Sequence, residues 1–87
     1  MTFTKDPNAA LDYSIDWHLW LGTDTILTST WGIPTGLTKV NEAFTTTGTT
    51  VWLSGGTAVS TYSVVNRITT AGGRTEDRTL YIICKNR

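Results

Sequence analysis

Three aspartates are the side chains best suited to metal chemistry in this sequence of 87 residues. Asp12, Asp16 and Asp24 could offer carboxylate oxygens to a calcium ion, since hard cations take several such ligands. Asp12 and Asp16, however, stand on the polar side of an alternating segment, where an extended chain holds them roughly 13 Å apart. We therefore predict solvated carboxylates, with no metal site and no cofactor.

Other reactive side chains do not form a catalytic set. His18 and Cys84 are each the only residue of their type, which leaves no zinc constellation and no partner for a nucleophile. The acidic pair Glu76-Asp77 lies beside Arg74 and Arg78, and this favours charge pairing on a sheet face over acid–base catalysis. We predict that the protein is not an enzyme and that Cys84 is a small buried side chain in an apolar strand.

The aromatic residues are better candidates for a function. Four tryptophans, three tyrosines and two phenylalanines exceed what a small core must hold, and Trp and Tyr anchor interfaces because they bury a large area with few rotatable bonds. Trp17 is in phase with the apolar side of its segment, whereas Trp20 is out of phase and is expected to be partly exposed. Alternatively, all four indole rings fill the core. The candidate interaction residues are Trp20, Trp31, Trp52, Arg74 and Arg78.

The elements that must position these residues are strands. Threonine is the most abundant residue, with 19 copies, and β-branched side chains favour a pleated sheet. Leu11–Leu19 alternates apolar and polar residues, the pattern of a half-buried strand. Further strands are expected at Thr25–Trp31, Leu37–Ala43 and Thr49–Leu53. We predict that Thr25–Trp31 pairs with the first of them through a turn at Leu21–Asp24.

The segment Ser60–Lys85 is predicted to form the hairpin around which the fold is organised. Ala71-Gly72-Gly73 supplies the turn, because glycine adopts positive φ without steric cost. Tyr62, near the start of the hairpin, resembles the tyrosine corner of immunoglobulin-like sandwiches. We predict an all-β fold, an immunoglobulin-like antiparallel β-sandwich of about six to seven strands. Residues 11–87 form its single domain, and residues 1–10 form either a flexible arm or an edge strand.

Charge and hydropathy exclude several partners. The formal net charge is zero and the charged residues are scattered, so we expect no binding to nucleic acid. No apolar run is long enough to cross a membrane, and Met1–Pro7 lacks the apolar core of a signal peptide, so we expect synthesis in a cytoplasm and no membrane association. The segment Thr45–Leu53 carries few charges and is predicted to be an unprotected strand edge open to docking.

Several motif blocks, taken in order, resemble a family of small proteins of tailed phages and prophages, the fibre–tail adaptor proteins. The blocks are Leu11-Asp12-Tyr13 with Ile15-Asp16-Trp17, Asp24-Thr25-Ile26, Ser29 with Trp31, Val51–Thr57, and Tyr62–Arg74. The similarity runs from about Lys5 to Lys85. Cys84 and the more apolar pair Ile82-Ile83 depart from the family pattern, and the pair could be buried against a partner.

The resemblance implies a structural virion protein, made in the host bacterial cytoplasm, that docks a fibre or another component onto the phage tail. Its partners would be other virion proteins. The protein itself would be present in many copies in each particle, and a homo-oligomer is one of its possible states. A capsid decoration or cement protein is the alternative within the same class, with the major capsid protein as partner. A carbohydrate-binding module is a second alternative, in which Trp20, Trp31 and Trp52 would serve as sugar platforms.

Overall fold

The computed structural model describes residues 1–85, which fold into two β-sheets packed face to face. The final two residues of the expected 11–87 domain lie outside this range. The elements of the described part are β1 (Thr2–Lys5), β2 (Leu11–Asp16), α1 (His18–Leu21), β3 (Ile26–Gly32), β4 (Leu37–Phe44), β5 (Gly48–Gly55), β6 (Ser60–Thr70) and β7 (Thr75–Cys84). One sheet has the strand order β1-β7-β6-β3 and the other β2-β5-β4. The predicted all-β sandwich is confirmed.

The core lies between the two sheets and follows the alternation of the strands. Tyr13 and Ile15 of β2 point inward and are buried, whereas Asp12 and Ser14 point outward and are exposed. Burying side chains on one face and leaving the other solvated is the usual arrangement of an antiparallel sheet. The buried hydrophobic residues of the described part are Tyr13, Ile15, Trp17, Leu21, Ile26, Trp31, Leu37, Val51, Leu53, Val64, Ile68, Leu80, Ile82 and Cys84.

The predicted hairpin forms between β6 and β7. Its strands pair antiparallel from Ser60 with Cys84 to Thr69 with Thr75. The tip is closed by a hydrogen bond from the Thr70 N–H to the Arg74 carbonyl at 2.9 Å, and Gly73 has a φ of 88°. β1 lies at the edge of the same sheet and is the exception to antiparallel pairing, because it runs parallel to β7.

A tyrosine corner braces the start of β6. The Tyr62 hydroxyl accepts a hydrogen bond from the Thr57 N–H at 2.9 Å, which is the upstream backbone contact expected of immunoglobulin-like folds. Hydrogen bonds from the Thr57 side chain and then its N–H lower the pKa of Tyr62 below its usual value. Gly36, with a φ of 106°, passes so close to the Tyr62 ring that a Cβ atom there would lie 2.8 Å from a ring carbon. The corner therefore requires glycine at this position.

The first predicted strand pairing is wrong. β3 pairs with β6 in the four-stranded sheet, whereas β2 pairs with β5 in the other sheet. Between β2 and β3 the chain forms α1, and Trp17 at its start and Leu21 at its last position are buried. The alternation consequently stops at Asp16, and Leu19, which was assigned to the apolar face, is 95% exposed.

The predicted open edge at Thr45–Leu53 is also wrong. Most of this segment belongs to β5, which is the central strand of the three-stranded sheet and is paired on both sides. The edge strands of that sheet are β2 and β4. β4 carries an irregularity between Lys39 and Asn41 and an ion pair between Lys39 and Glu42. Bulges and charged side chains both hinder strand addition, so the β4 edge is protected.

Candidate docking surface

The single turn α1 forms one end of the sandwich and is fixed to the core from both sides. The Trp17 N–H donates to the Thr47 carbonyl at 2.9 Å, and the Leu21 N–H donates to the Trp17 carbonyl at 3.0 Å. Trp17 and Leu21 are 0% and 3% exposed. Because the turn rotates successive side chains around its axis, Leu19 between them points away from the core. A rigid turn thus presents a fully exposed leucine.

Two tryptophans at α1 and two arginines of the β6–β7 hairpin pack together, and we call these residues the Trp–Arg cluster: Trp17, Trp20, Arg74 and Arg78. The Arg74 guanidinium lies 4.2 Å from the centre of the Trp20 ring, and the Arg78 guanidinium lies 4.3 Å from that of Trp17. The two indole rings meet edge to face at 5.5 Å. Cation–π and edge-to-face contacts of this kind stabilise a fixed arrangement of the four side chains.

Arg74 also ties the tip of the β6–β7 hairpin to α1. Its guanidinium donates to the Leu21 carbonyl at 2.9 Å and to the Trp20 carbonyl at 3.5 Å. The same group forms an ion pair with Asp24 at 3.1 Å. The fork of donors in arginine suits such multiple contacts, whereas a lysine ammonium cannot reproduce them. The last carbonyls of the helical turn therefore find their partners in a side chain from another element.

Asp24 is the acceptor at the centre of this end of the molecule. Its side chain is 15% exposed, and its Oδ1 accepts from the backbone N–H groups of Thr25 at 2.8 Å and Gly72 at 3.0 Å. The pKa of Asp24 is lowered to about 2, first by a hydrogen bond from the Thr70 side chain and then by those backbone donors and Arg74. Hydrogen bonds to the ionised form favour it, so the carboxylate stays charged at neutral pH.

The five candidate interaction residues do not lie together. Trp20, Arg74 and Arg78 meet in the Trp–Arg cluster. Trp31 is 9% exposed and belongs to the core, so its ring is not available to a partner in this fold. Trp52 is half-buried on the outward face of β5, opposite Asp12 and Asn41 of the neighbouring strands.

Sequence reasoning missed Leu19 and Asp24, two residues that distinguish this end. Leu19 was misplaced because the apolar alternation of β2 continues in the sequence through Trp17 and Leu19. The signal against it was Trp20, whose large apolar side chain breaks the alternation. Asp24 was considered only as a metal ligand. Its carboxylate is bound by Arg74 and by backbone N–H groups, and no spacing in the sequence reveals these contacts.

No group of three or more His, Cys, Asp or Glu side chains in residues 1–85 could hold a metal ion. No helix of the described chain is long and apolar enough to cross a membrane.

In the comparison with known protein families, a family model described as podophage GP4 fiber-tail adaptor protein gp77 matches residues 5–83 of this chain. The match includes β2 to β6, α1 and nearly all of β7. A comparison with curated proteins returned no match.

Proposed function

Because this chain belongs to the podophage fibre–tail adaptor family, we propose that it docks a fibre or another component onto the phage tail through protein–protein contacts. The observation that carries this proposal is the family match over residues 5–83, which spans almost the whole sandwich. Its partners would be tail and fibre proteins of the same virion. The capsid decoration alternative has no such support, and the burial of Trp31 removes one ring from the sugar-binding alternative.

We place the docking contact at the α1 end of the molecule. Leu19 is 95% exposed, and the Trp–Arg cluster holds the turn that carries it. Interface anchors are large side chains whose geometry is set before binding, because little conformational entropy is then lost in the complex. The half-buried ring of Trp20, stacked under Arg74, fits that description, and the exposed Leu19 beside it adds apolar surface. The partner is expected to offer an apolar recess.

A binding measurement tests this proposal. Purified protein is titrated against the tail and fibre proteins of the same phage, and Leu19→Asp is expected to weaken the complex at least tenfold, since burying a carboxylate in an apolar recess is unfavourable. Val40→Asp is the matched control, because Val40 is also exposed, at 60%, but lies on the β4 edge.

The two substitutions separate the possible outcomes. Loss of binding by Leu19→Asp with wild-type binding by Val40→Asp supports the α1 end as the contact. Equal affinities for the wild type and Leu19→Asp would move the contact elsewhere on the molecule. Absence of binding to any tail or fibre protein would contradict the docking function itself.

A further inference from the structure

The strand β3 lies at an edge of the four-stranded sheet and has an unusually plain sequence for such a position. It contains no charged residue and no proline. An irregularity marks its start, and from Thr28 to Gly32 its pairing with β6 is continuous. A regular edge strand without charges presents unpaired N–H and C=O groups to any extended chain that approaches it.

The three other edge strands of the described sandwich are protected. β1 has only four residues, and β2 places the carboxylates of Asp12 and Asp16 on its exposed face. β4 carries the irregularity and the ion pair described above. Short length, charge and bulges each hinder strand addition. β3 is therefore the open edge of this sandwich.

The hydrogen bond at the hairpin tip shows which backbone groups of β3 face the open edge. The Thr70 N–H bonds towards the β7 side of β6. Successive residues of an antiparallel strand bond to opposite neighbours, so Arg67, three residues earlier, bonds towards β3, where its partner is Thr30. The N–H and C=O groups of Ser29 and Trp31, on either side of Thr30, consequently point away from β6.

These outward backbone groups have no partner within residues 1–85. None of the hydrogen bonds that this part of the chain makes outside the sheets involves the backbone of Ser29 or Trp31. The loop after β4 covers the start of the edge, where the Ile26 N–H donates to the Thr46 carbonyl at 2.9 Å. Two donors and two acceptors are left beyond it, and an extended backbone offers the matching groups at the same spacing.

The side chains along this edge indicate what the added strand would carry. Leu27 is 62% exposed, and Thr28 and Thr30 are exposed as well. Gly32 and Val65 line a depression of about 310 Å³ on the outward face of the sheet. A strand beside β3 places alternate side chains next to these residues. Uncharged side chains, apolar or β-branched, therefore fit the edge.

The nearest charges stay in water when a strand is added. The ion pair of Arg67 with Asp77 also borders the depression, and its side chains are 63% and 41% exposed. Arg67 lies on β6 and Asp77 on β7, whereas the added strand lies on the opposite side of β3. Strands are about 4.8 Å apart, so the new backbone lies roughly 10 Å from β6 and roughly 14 Å from β7. The pair does not have to be desolvated.

We propose that an extended, uncharged segment of a tail or fibre protein pairs with β3 and adds a fifth strand to the four-stranded sheet. The identity of the partner rests on the proposed docking function, whereas the mode of contact rests on the β3 edge. An adaptor that joins two components needs two contact surfaces, and this edge is a second surface besides the α1 end. Main-chain hydrogen bonds supply the affinity, and the side chains along the edge supply the specificity.

Amide hydrogen exchange tests this mode of contact, residue by residue, in the complex of the full chain with a tail or fibre protein of the same phage. The amides of Ser29 and Trp31 are expected to exchange at least tenfold more slowly in the complex than in the free chain, because they gain acceptors. The amides of Thr28, Thr30 and Gly32 already bond to β6 and should change far less. This alternation distinguishes strand addition from a contact made by side chains alone.

Thr30→Lys tests the same edge by substitution. A lysine there sets a charge against the uncharged segment, as natural edge strands do to resist pairing, so the affinity for the tail or fibre protein is expected to fall at least tenfold. Thr38→Lys is the matched control, because Thr38 is also an exposed threonine on an edge strand, β4. Thermal unfolding of both variants checks that the sandwich is intact.

The outcomes separate strand addition from the docking function. Alternating protection in β3, with binding weakened by Thr30→Lys and not by Thr38→Lys, supports strand addition. A complex in which the Ser29 and Trp31 amides exchange as in the free chain, or equal binding by the two lysine variants, overturns strand addition and leaves the docking function in place. Absence of any complex with tail and fibre proteins contradicts the docking function and removes strand addition with it.

Discussion

At the scale of single residues, Asp24 shows how one carboxylate can organise an end of the molecule. It accepts from the loop N–H of Thr25, from Gly72 at the hairpin tip and from Arg74. These donors come from segments far apart in the sequence. The Asp24 side chain therefore joins the loop after α1 to the turn between β6 and β7, and its role is structural.

The lowered pKa of Asp24 predicts a pH dependence of stability. Its pKa is about 2 in the folded chain, against 3.8 for an ordinary aspartate, so the unfolded chain binds the proton more readily. The stabilisation is therefore complete above about pH 4 and is lost as the pH falls towards 2. Asp24→Asn should lower the free energy of unfolding at pH 6, and its difference from the wild type should shrink by pH 2.5.

Urea unfolding at the two pH values measures this effect. Asp12→Asn, on the solvent face of β2, serves as the control for a general change in charge. A difference between Asp24→Asn and the wild type that is the same at pH 6 and pH 2.5 would contradict the role given to this carboxylate.

At the scale of elements, the two sheets are joined by a polar contact inside an apolar core. Asn66 of β6 is fully buried. Its Oδ1 accepts from the Thr49 hydroxyl at 2.7 Å and from Trp17 Nε1 at 3.1 Å, across the space between the sheets. Its Nδ2 donates to the Ser29 hydroxyl and the Thr30 carbonyl, both at 3.0 Å. Such a satisfied network fixes the register of one sheet against the other.

Asn66→Ala is expected to lower the free energy of unfolding by about 2 kcal/mol, because partners in the core lose their hydrogen bonds. Asn41→Ala is the matched control on the exposed face of β4, where the effect should stay below about 0.5 kcal/mol. Chemical denaturation compares the two variants. Equal stabilities would mean that the Asn66 network contributes nothing to holding the sheets together.

Strand positions could largely be predicted from the sequence, but the assignment of strands to sheets could not. The alternation around Tyr13 and Ile15 and the glycines at the β6–β7 tip are local signals, so the start of β2 and the hairpin were predicted near their observed positions, whereas the predicted first strand ran past Asp16 into α1. The pairing of β3 with β6 depends on α1, a turn too short to leave a helical period in the sequence. Of the candidate contact residues, Trp20 was expected to be exposed from its phase, whereas the stacking of Arg74 upon it depends on tertiary contacts.

At the scale of the whole molecule, the sandwich is elongated and the proposed tail or fibre contact lies at one of its ends. Its principal extents are 42 × 20 × 17 Å, and β6 alone spans 11 residues. One end carries α1 with Leu19 and the Trp–Arg cluster, and the other carries the turn between β5 and β6. The edge strand β4 is protected against strand addition. We therefore expect the adaptor to dock through its α1 end rather than through the β4 edge.

A reconstruction of the intact phage particle would show where this protein lies and which of its surfaces is covered. The adaptor function predicts density for this sandwich between the tail and a fibre, with the α1 end against one of those two components. The exposed leucine and the Trp20 ring should lie inside that contact. Density distributed over the capsid would contradict the adaptor function, and a tail position in which the α1 end faces solvent would contradict docking through that end.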